Sequence, residues 1–117
     1  MSQYHRSVFW TLQFPAVHCW PEAGFPVEFL RNSHRHLFKV QCRATVQHND
    51  RDIEFLTQKE LMQKFCDEQW ANRDIGRTSC EDIAQTLLEA FDIDSVTVSE
   101  DGENGATLAR LPKSLEE

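Results

Sequence analysis

The clearest pattern along the chain is an alternation of apolar and polar residues that begins at His34. Every even position in Phe38–Val46 is apolar, and every odd position between them is polar. A period of two predicts a strand with one face on a core and the other in solvent. An earlier apolar segment, about Ser7 to His18, predicts a second strand, and an irregular loop with prolines and a glycine is expected between the two.

The middle of the chain predicts a turn, a short strand and a helix. Asp52–Phe55 is interpreted as a short return strand that follows a turn at residues 48–50. Thr57 and Glu60 have the spacing of a capping box, and apolar residues recur at helical spacing behind them. A first helix is therefore expected to open at Thr57 and to end near Trp70–Asp74.

The C-terminal third predicts a second helix followed by a hairpin. Thr78 and Ser79 are both good N-caps, and apolar residues follow them at helical spacing. A strand is expected from Val96, turn residues lie within Asp101–Gly105, and Ala106–Leu111 returns. The whole order predicts an α+β domain, an antiparallel four-stranded sheet with two helices packed on one face.

Composition narrows the class of protein. One domain is expected over residues 1–117, with a polar tail at 113–117. The net charge is −7, so nucleic acid is not an expected partner. No segment is apolar enough to span a membrane and no secretory signal is recognised, which predicts a cytoplasmic protein without a membrane partner. The four cysteines contain no C-x-x-C pair, which fits reduced thiols rather than a zinc knuckle.

Three histidines form a candidate metal site. His34 and His36 are two apart on a predicted strand, so both imidazoles project from one face, about 7 Å apart along the strand. His18 ends the preceding strand and comes alongside if the two strands pair antiparallel. Three neutral imidazoles suit Zn²⁺ and leave one position for water or substrate. The alternative is a pair of partly buried histidines with ordinary hydrogen-bond partners.

Four segments, in order, resemble motifs of the 6-pyruvoyl- and 6-carboxy-tetrahydropterin synthase family, which includes enzymes of queuosine biosynthesis. With Asp52–Phe55, which stands in the place of the family's strand leading into its first helix, the resemblance runs in order through nearly the whole chain. The segments are Phe14–His18 (similar to F-x-A-x-H), His34–His36 (similar to H-G-H, with Arg35 for glycine), Thr78–Ala84 (similar to P-T-x-E-N-I-A) and Val96–Glu100 (similar to V-x-V-x-E).

The resemblance implies a fold, a ligand and an assembly. The fold would be the tunnelling fold (T-fold), whose subunits join into rings, commonly trimers stacked as homohexamers. His18, His34 and His36 would bind zinc, and Glu100 would anchor the ring of a pterin or purine-like ligand. A carboxylate suits this role because it accepts two adjacent N–H donors at once. Taken without the resemblance, Glu100 is better interpreted as a solvated carboxylate at the mouth of a hairpin.

The sequence also departs from the family. The catalytic cysteine of the synthases would fall at Leu30, and no histidine occurs in Cys66–Arg77, where an Asp–His pair is expected. Glu28 is the best remaining acid–base candidate. Three functions therefore stay open: a lyase-like enzyme with altered chemistry, a protein that binds a pterin or guanine-type nucleotide without catalysis, and a structural protein stabilised by its metal.

A basic row on the solvent face of the second strand has two interpretations. Arg35, Lys39 and Arg43 are evenly spaced there. They form either an ordinary solvated face or, in a ring of subunits, part of the lining of a tunnel.

Overall fold

Four antiparallel strands form one sheet in a computed structural model that describes residues 3–112. The strands lie in chain order, β1–β2–β3–β4, and each pairs with the next along the sequence. Their bounds are Arg6–His18 (β1), His34–Val46 (β2), Ser95–Glu100 (β3) and Asn104–Ala109 (β4). A single-turn 3₁₀ helix, Glu28–Arg31, lies in the loop that joins β1 to β2.

The alternation in the sequence sets the two faces of the sheet, as predicted. Even-numbered residues of β1 and β2 face the core, and Phe14 and Phe38 stack there with their ring centroids 5.5 Å apart. Odd-numbered residues face away, and Arg35, Lys39 and Arg43 of the basic row are all exposed. The pairing runs without a break from Arg6 opposite Val46 to His18 opposite His34. It therefore places the ends of both strands, with their histidines, side by side.

The first helix, α1, covers Phe55–Gln69, and two expectations about its start are wrong. Asp52–Phe55 is not a strand, and Thr57 is not the N-cap. Glu54 is the N-cap, because its carboxylate accepts hydrogen bonds from the backbone N–H groups of Leu56 and Thr57 and from the Thr57 hydroxyl. These hydrogen bonds lower the pKa of Glu54, the Thr57 hydroxyl contributing most.

The second helix, α2, covers Cys80–Ala90, and of the two predicted N-caps the structure has Ser79. The Ser79 hydroxyl accepts a hydrogen bond from the Asp82 N–H, and the Asp82 carboxylate accepts one from the Ser79 N–H. Both helices pack on the even-numbered face of the sheet. Their shared core contains Met62 and Cys66 of α1 and Ile83 and Leu87 of α2. The predicted α+β architecture is confirmed.

The last strand of the hairpin, β4, begins at Asn104, two residues before the Ala106 that the sequence suggested. Asn104 and Gly105 belong to β4 rather than to the turn, and Asn104 pairs with Glu100. Asp101 and Gly102 carry the turn, with φ values of 59° and 79°. A left-handed conformation is tolerated by aspartate better than by most side chains, which explains an Asp-Gly pair at this point. None of the helices within residues 3–112 is long and apolar enough to cross a membrane.

Candidate metal centre

The three histidines meet at one end of the sheet. The β1–β2 register sets His18 directly opposite His34, and His36 is two residues further along the same face. Their ring centroids are 4.6 to 5.2 Å apart. One nitrogen from each ring lies within 4.8 Å of the other two. The predicted cluster is therefore present, and His34 and His36 lean together as two ligands of one metal would need to.

Each imidazole is held by a hydrogen bond at Nδ1. His18 Nδ1 is 2.8 Å from the carbonyl oxygen of Thr78, and His34 Nδ1 is 2.8 Å from that of Asn32. His36 Nδ1 is 2.7 Å from Oδ2 of Asp101. Carbonyl and carboxylate oxygens only accept hydrogen bonds, so each Nδ1 carries the hydrogen and donates. The lone pair of each neutral ring is then on Nε2.

The Nε2 atoms are the feature that points to a metal. Within the described residues, Nε2 of His18 and Nε2 of His36 are the two buried side-chain polar atoms without a hydrogen-bond partner. A buried acceptor without a partner costs about 1–3 kcal/mol, so a folded protein rarely leaves two side by side. A cation bound by these nitrogens would satisfy both. The residues fit a metal ion in number, protonation and direction.

A backbone segment positions His18 from outside the sheet. Val17 exchanges hydrogen bonds with Arg73 and Ile75, and the Cys19 N–H donates to the carbonyl of Gly76. This segment runs along the end of β1 and continues into Thr78, whose carbonyl holds the His18 ring. The sequence could not predict that this segment holds the His18 ring, because the acceptor is a backbone carbonyl, which every residue has.

Asp101 is a site residue that the sequence interpretation missed. Its Oδ1 accepts the Leu37 N–H at 2.9 Å, and its Oδ2 accepts His36 Nδ1–H at 2.7 Å. The Leu37 N–H and the His36 ring both lower the pKa of this carboxyl, the Leu37 N–H contributing more. A carboxylate that orients a metal-binding histidine is a common outer partner in metal sites. The only sequence signal was an Asp-Gly turn one residue after Glu100.

A cavity of about 480 Å³ opens beside the histidines, within the usual range for a small-molecule site. Its wall includes His18, His34 and Glu100 together with residues at the start of α2. Glu100 is therefore at the site, as the sequence predicted, although its role is untested. A second depression, of about 670 Å³, is lined mainly by polar and lysine side chains of the odd-numbered strand positions together with Lys59 and Gln63 of α1. No histidine, cysteine or carboxylate lines it.

Comparison with known proteins gives a fold but no family. No protein-family model matches the sequence, and no curated protein sequence matches it. Among solved structures, the 6-pyruvoyl tetrahydropterin synthase of Caenorhabditis elegans is similar, with a TM-score of 0.72 over 92% of this chain and 97% of that one, at 13% identity. The chain has the fold of a tetrahydropterin synthase. At this identity the likeness establishes the T-fold and not the reaction.

Two residues of the β1–β2 loop entered the sequence predictions about catalysis. Leu30, at the position that the family resemblance assigns to a cysteine, lines the cavity. Glu28 lies in the same 3₁₀ turn and is half-buried, but it is not among the residues that line the cavity. The role of Glu28 as an acid–base stays a prediction.

The cysteines do not take part in the centre. Cys42, Cys66 and Cys80 are buried thiols without disulfides. Burial raises the pKa of each to about 12, with smaller contributions from nearby anionic groups for Cys66 and Cys80. Cys80 sits at the N-terminus of α2, where a thiolate can be stabilised, but burial outweighs that effect here. Cys19 is partly exposed and lines the cavity beside His18.

Proposed function

We propose that this chain is a zinc-dependent, pterin-synthase-like protein that acts on or binds a pterin or purine-like ligand. The observation that carries the proposal is the set of three imidazoles, each fixed at Nδ1, with one nitrogen of each ring within 4.8 Å of the other two. Three neutral nitrogen ligands suit zinc among the common biological metals. The T-fold and the adjacent cavity support a ligand of the class that the tetrahydropterin synthase of similar structure is named for.

Zinc at this centre would supply a Lewis acid that polarises a carbonyl or hydroxyl oxygen of the ligand. The residues of the chain would do the rest. His18, His34 and His36 hold the ion, and Asp101 keeps the His36 ring in its tautomer. Glu100 would accept two N–H donors from the edge of a pterin or guanine-type ring, a charge-assisted pair of hydrogen bonds.

A non-catalytic binding protein on the same fold is the second candidate. It is favoured by Leu30, an apolar side chain in the cavity wall where a synthase would need its thiol. It is also favoured by the absence of histidine from Cys66–Arg77. General acid–base groups typically contribute about 10²–10⁴-fold each to a rate, so the loss of two would leave little synthase activity. Glu28 is the residue we propose to test as a replacement.

The proposal extends to assembly. β1 and β4 are the two edges of the sheet, and over most of β1 its outer edge pairs with no other strand among residues 3–112. Exposed strand edges favour pairing with another chain. We propose that copies of this chain join edge to edge into a ring, as a trimer or homohexamer, with the basic row of β2 facing the interior.

Incubation of the zinc-loaded protein with dihydroneopterin triphosphate, followed by mass spectrometry, separates the candidates. Formation of a new pterin that is lost in His36→Ala would support an enzyme. Recovery of intact ligand in complex with the protein would support a binding protein. If neither this compound nor a panel of pterins and guanine nucleotides binds in calorimetry, the ligand part of the proposal is wrong.

A further inference from the structure

The carboxylate of Glu100 lies against the two unpartnered nitrogens of the metal centre. Its Oε2 is 3.0 Å from Nε2 of His18, and its Oε1 is 3.7 Å from Nε2 of His36. Although the shorter distance is within hydrogen-bond range, His18 Nε2 has no hydrogen bond, so the two groups do not meet in hydrogen-bonding geometry. One carboxylate thus presents one oxygen to each of two histidines.

In both contacts, a histidine nitrogen that can only accept a hydrogen bond faces a carboxylate oxygen that can also only accept one. Thr78 and Asp101 take the Nδ1 hydrogens of His18 and His36, so each neutral ring presents a lone pair at Nε2. The carboxylate oxygens present lone pairs as well. Lone pairs at such distances repel unless a cation lies between them. A metal ion bound by all of these atoms removes the repulsion and satisfies both nitrogens together.

The separations are those of ligands that share one small metal ion. Two atoms each about 2.0–2.2 Å from a tetrahedral zinc are roughly 3.3–3.6 Å apart, and the two observed distances lie just below and just above this range. We propose that Glu100 is the fourth ligand of the metal in the ligand-free protein. The centre is then closed by three imidazoles and one carboxylate, rather than open to water.

The Glu100 carboxylate is positioned by a strand of the sheet rather than by a loop. Glu100 is the last residue of β3 and pairs with Phe38, the residue two positions beyond His36 on the same face of β2. Its side chain is 31% exposed, against 47% for Asp101, which holds the next position. The Asp101–Gly102 turn follows at once, and Asp101 is itself hydrogen-bonded to β2. The backbone that carries Glu100 is therefore fixed on both sides.

This inference rests on the proposed function and adds a switch to it. A metal bound to Glu100 takes up negative charge of the carboxylate and fixes its direction towards the histidines, so the metal and a pair of N–H donors from a ring compete for it. A ring that binds Glu100 would draw the carboxylate from the metal and free the fourth position. Ligand binding and opening of the metal site would then be one event.

Cobalt(II) is a suitable probe, since its visible absorption reports the number and kind of ligands. Metal-stripped wild type, Glu100→Gln and Glu81→Gln would be titrated with cobalt(II) and then with zinc. Glu81 is a matched control because it lines the same cavity and loses the same charge. We expect Glu100→Gln to bind both metals roughly 10–100-fold more weakly, with a changed cobalt spectrum, and Glu81→Gln to match the wild type.

Equal affinity and an unchanged spectrum in Glu100→Gln would overturn the inference while leaving the three-histidine site intact. A wild type that binds neither metal would overturn the zinc proposal as well. A crystal structure of the zinc-loaded wild type decides the matter without relying on the folding of a variant. A Glu100 oxygen about 2.0–2.2 Å from the zinc would support the inference, and a water in that place would refute it.

Discussion

The histidine cluster and Cys42 offer metal-ligand atoms in two neighbouring parts of one sheet, but in opposite chemical states. On β2, His36 and Cys42 project from the same face, six residues apart. The His36 ring is held by Asp101, and its Nε2 is left as a lone pair without a partner. The Cys42 thiol is fully buried in the core, and burial raises its pKa to about 12.

The difference shows that residue type alone does not mark a metal site. A thiol binds metal as the thiolate, and the core around Cys42 and Cys66 disfavours that charge. The imidazoles bind as neutral groups, and outer hydrogen bonds have already fixed which nitrogen is free. The apolar stretch of β2 stabilises the fold, whereas Nε2 of His36 near its start has no hydrogen-bond partner and costs stability until an ion binds.

The largest expected effect is on metal affinity in His36→Ala. Removal of one of three imidazoles should weaken zinc binding by more than about 100-fold, since loss of an outer partner alone typically costs 10–100-fold. Competition with a chromophoric chelator measures this affinity. His48→Ala is the control, because His48 is an exposed histidine in the loop after β2. Equal losses in the two variants would show that the effect is not specific to the centre.

A smaller effect is expected from Asp101→Asn. Asparagine tolerates the left-handed backbone at this position, but it has one acceptor oxygen for two donors, the Leu37 N–H and His36 Nδ1–H. Zinc affinity should fall roughly 10–100-fold. Glu103→Gln, in the same turn, should bind zinc like the wild type. If Asp101→Asn also binds normally, Asp101 does not position His36.

The part of the site that depends on the pairing of β1 with β2 could be predicted from the sequence, and the part that depends on the pairing of β2 with β3 could not. His18, His34 and His36 were predictable because strand alternation and antiparallel pairing bring them together. Asp101 was not, because its role depends on the pairing of the β3–β4 hairpin beside β2. The closeness of Glu100 to His18 depends on the same pairing, so the sequence suggested a ligand anchor but not its contact with the histidines.

The helices show the same limit. The start of α2 was predicted to within one residue, at Thr78 or Ser79, because an N-cap residue before an apolar helical pattern is a local signal. The start of α1 was missed, since Ile53 and Phe55 around Glu54 resemble a strand and glutamate is not a common N-cap. Only the three hydrogen bonds that Glu54 accepts reveal its role.

Cys42→Ser should separate stability from metal binding. A serine hydroxyl in this apolar position would have no evident partner, and such burial costs about 1–3 kcal/mol in proteins. We expect the free energy of unfolding in denaturant to fall by that amount, with zinc affinity unchanged. Cys19→Ser, at a partly exposed position, should cost much less stability. A loss of zinc in Cys42→Ser would show that this thiol takes part in the metal centre, and would contradict the contrast between the histidines and the buried cysteine.

The effect that is smallest at neutral pH concerns the buried thiols and appears only in alkaline solution. Cys42, Cys66 and Cys80 have pKa values of about 12 in the folded chain, against an ordinary thiol pKa of 9.0. The unfolded chain therefore releases thiol protons first, so the free energy of unfolding should decline as the pH rises from about 9 towards 12. A thiol reagent at pH 8 should label Cys19 rapidly and the three buried thiols slowly. Rapid labelling of all four would contradict their burial.

The central claim is that His18, His34 and His36 bind one zinc ion through Nε2, and metal analysis of the purified wild type tests it most directly. The account predicts about one zinc per chain by elemental analysis, and X-ray absorption at the zinc edge that shows histidine nitrogens and no sulfur. A protein that is isolated without metal, and that binds no zinc when it is supplied, would contradict the account. So would zinc held by sulfur.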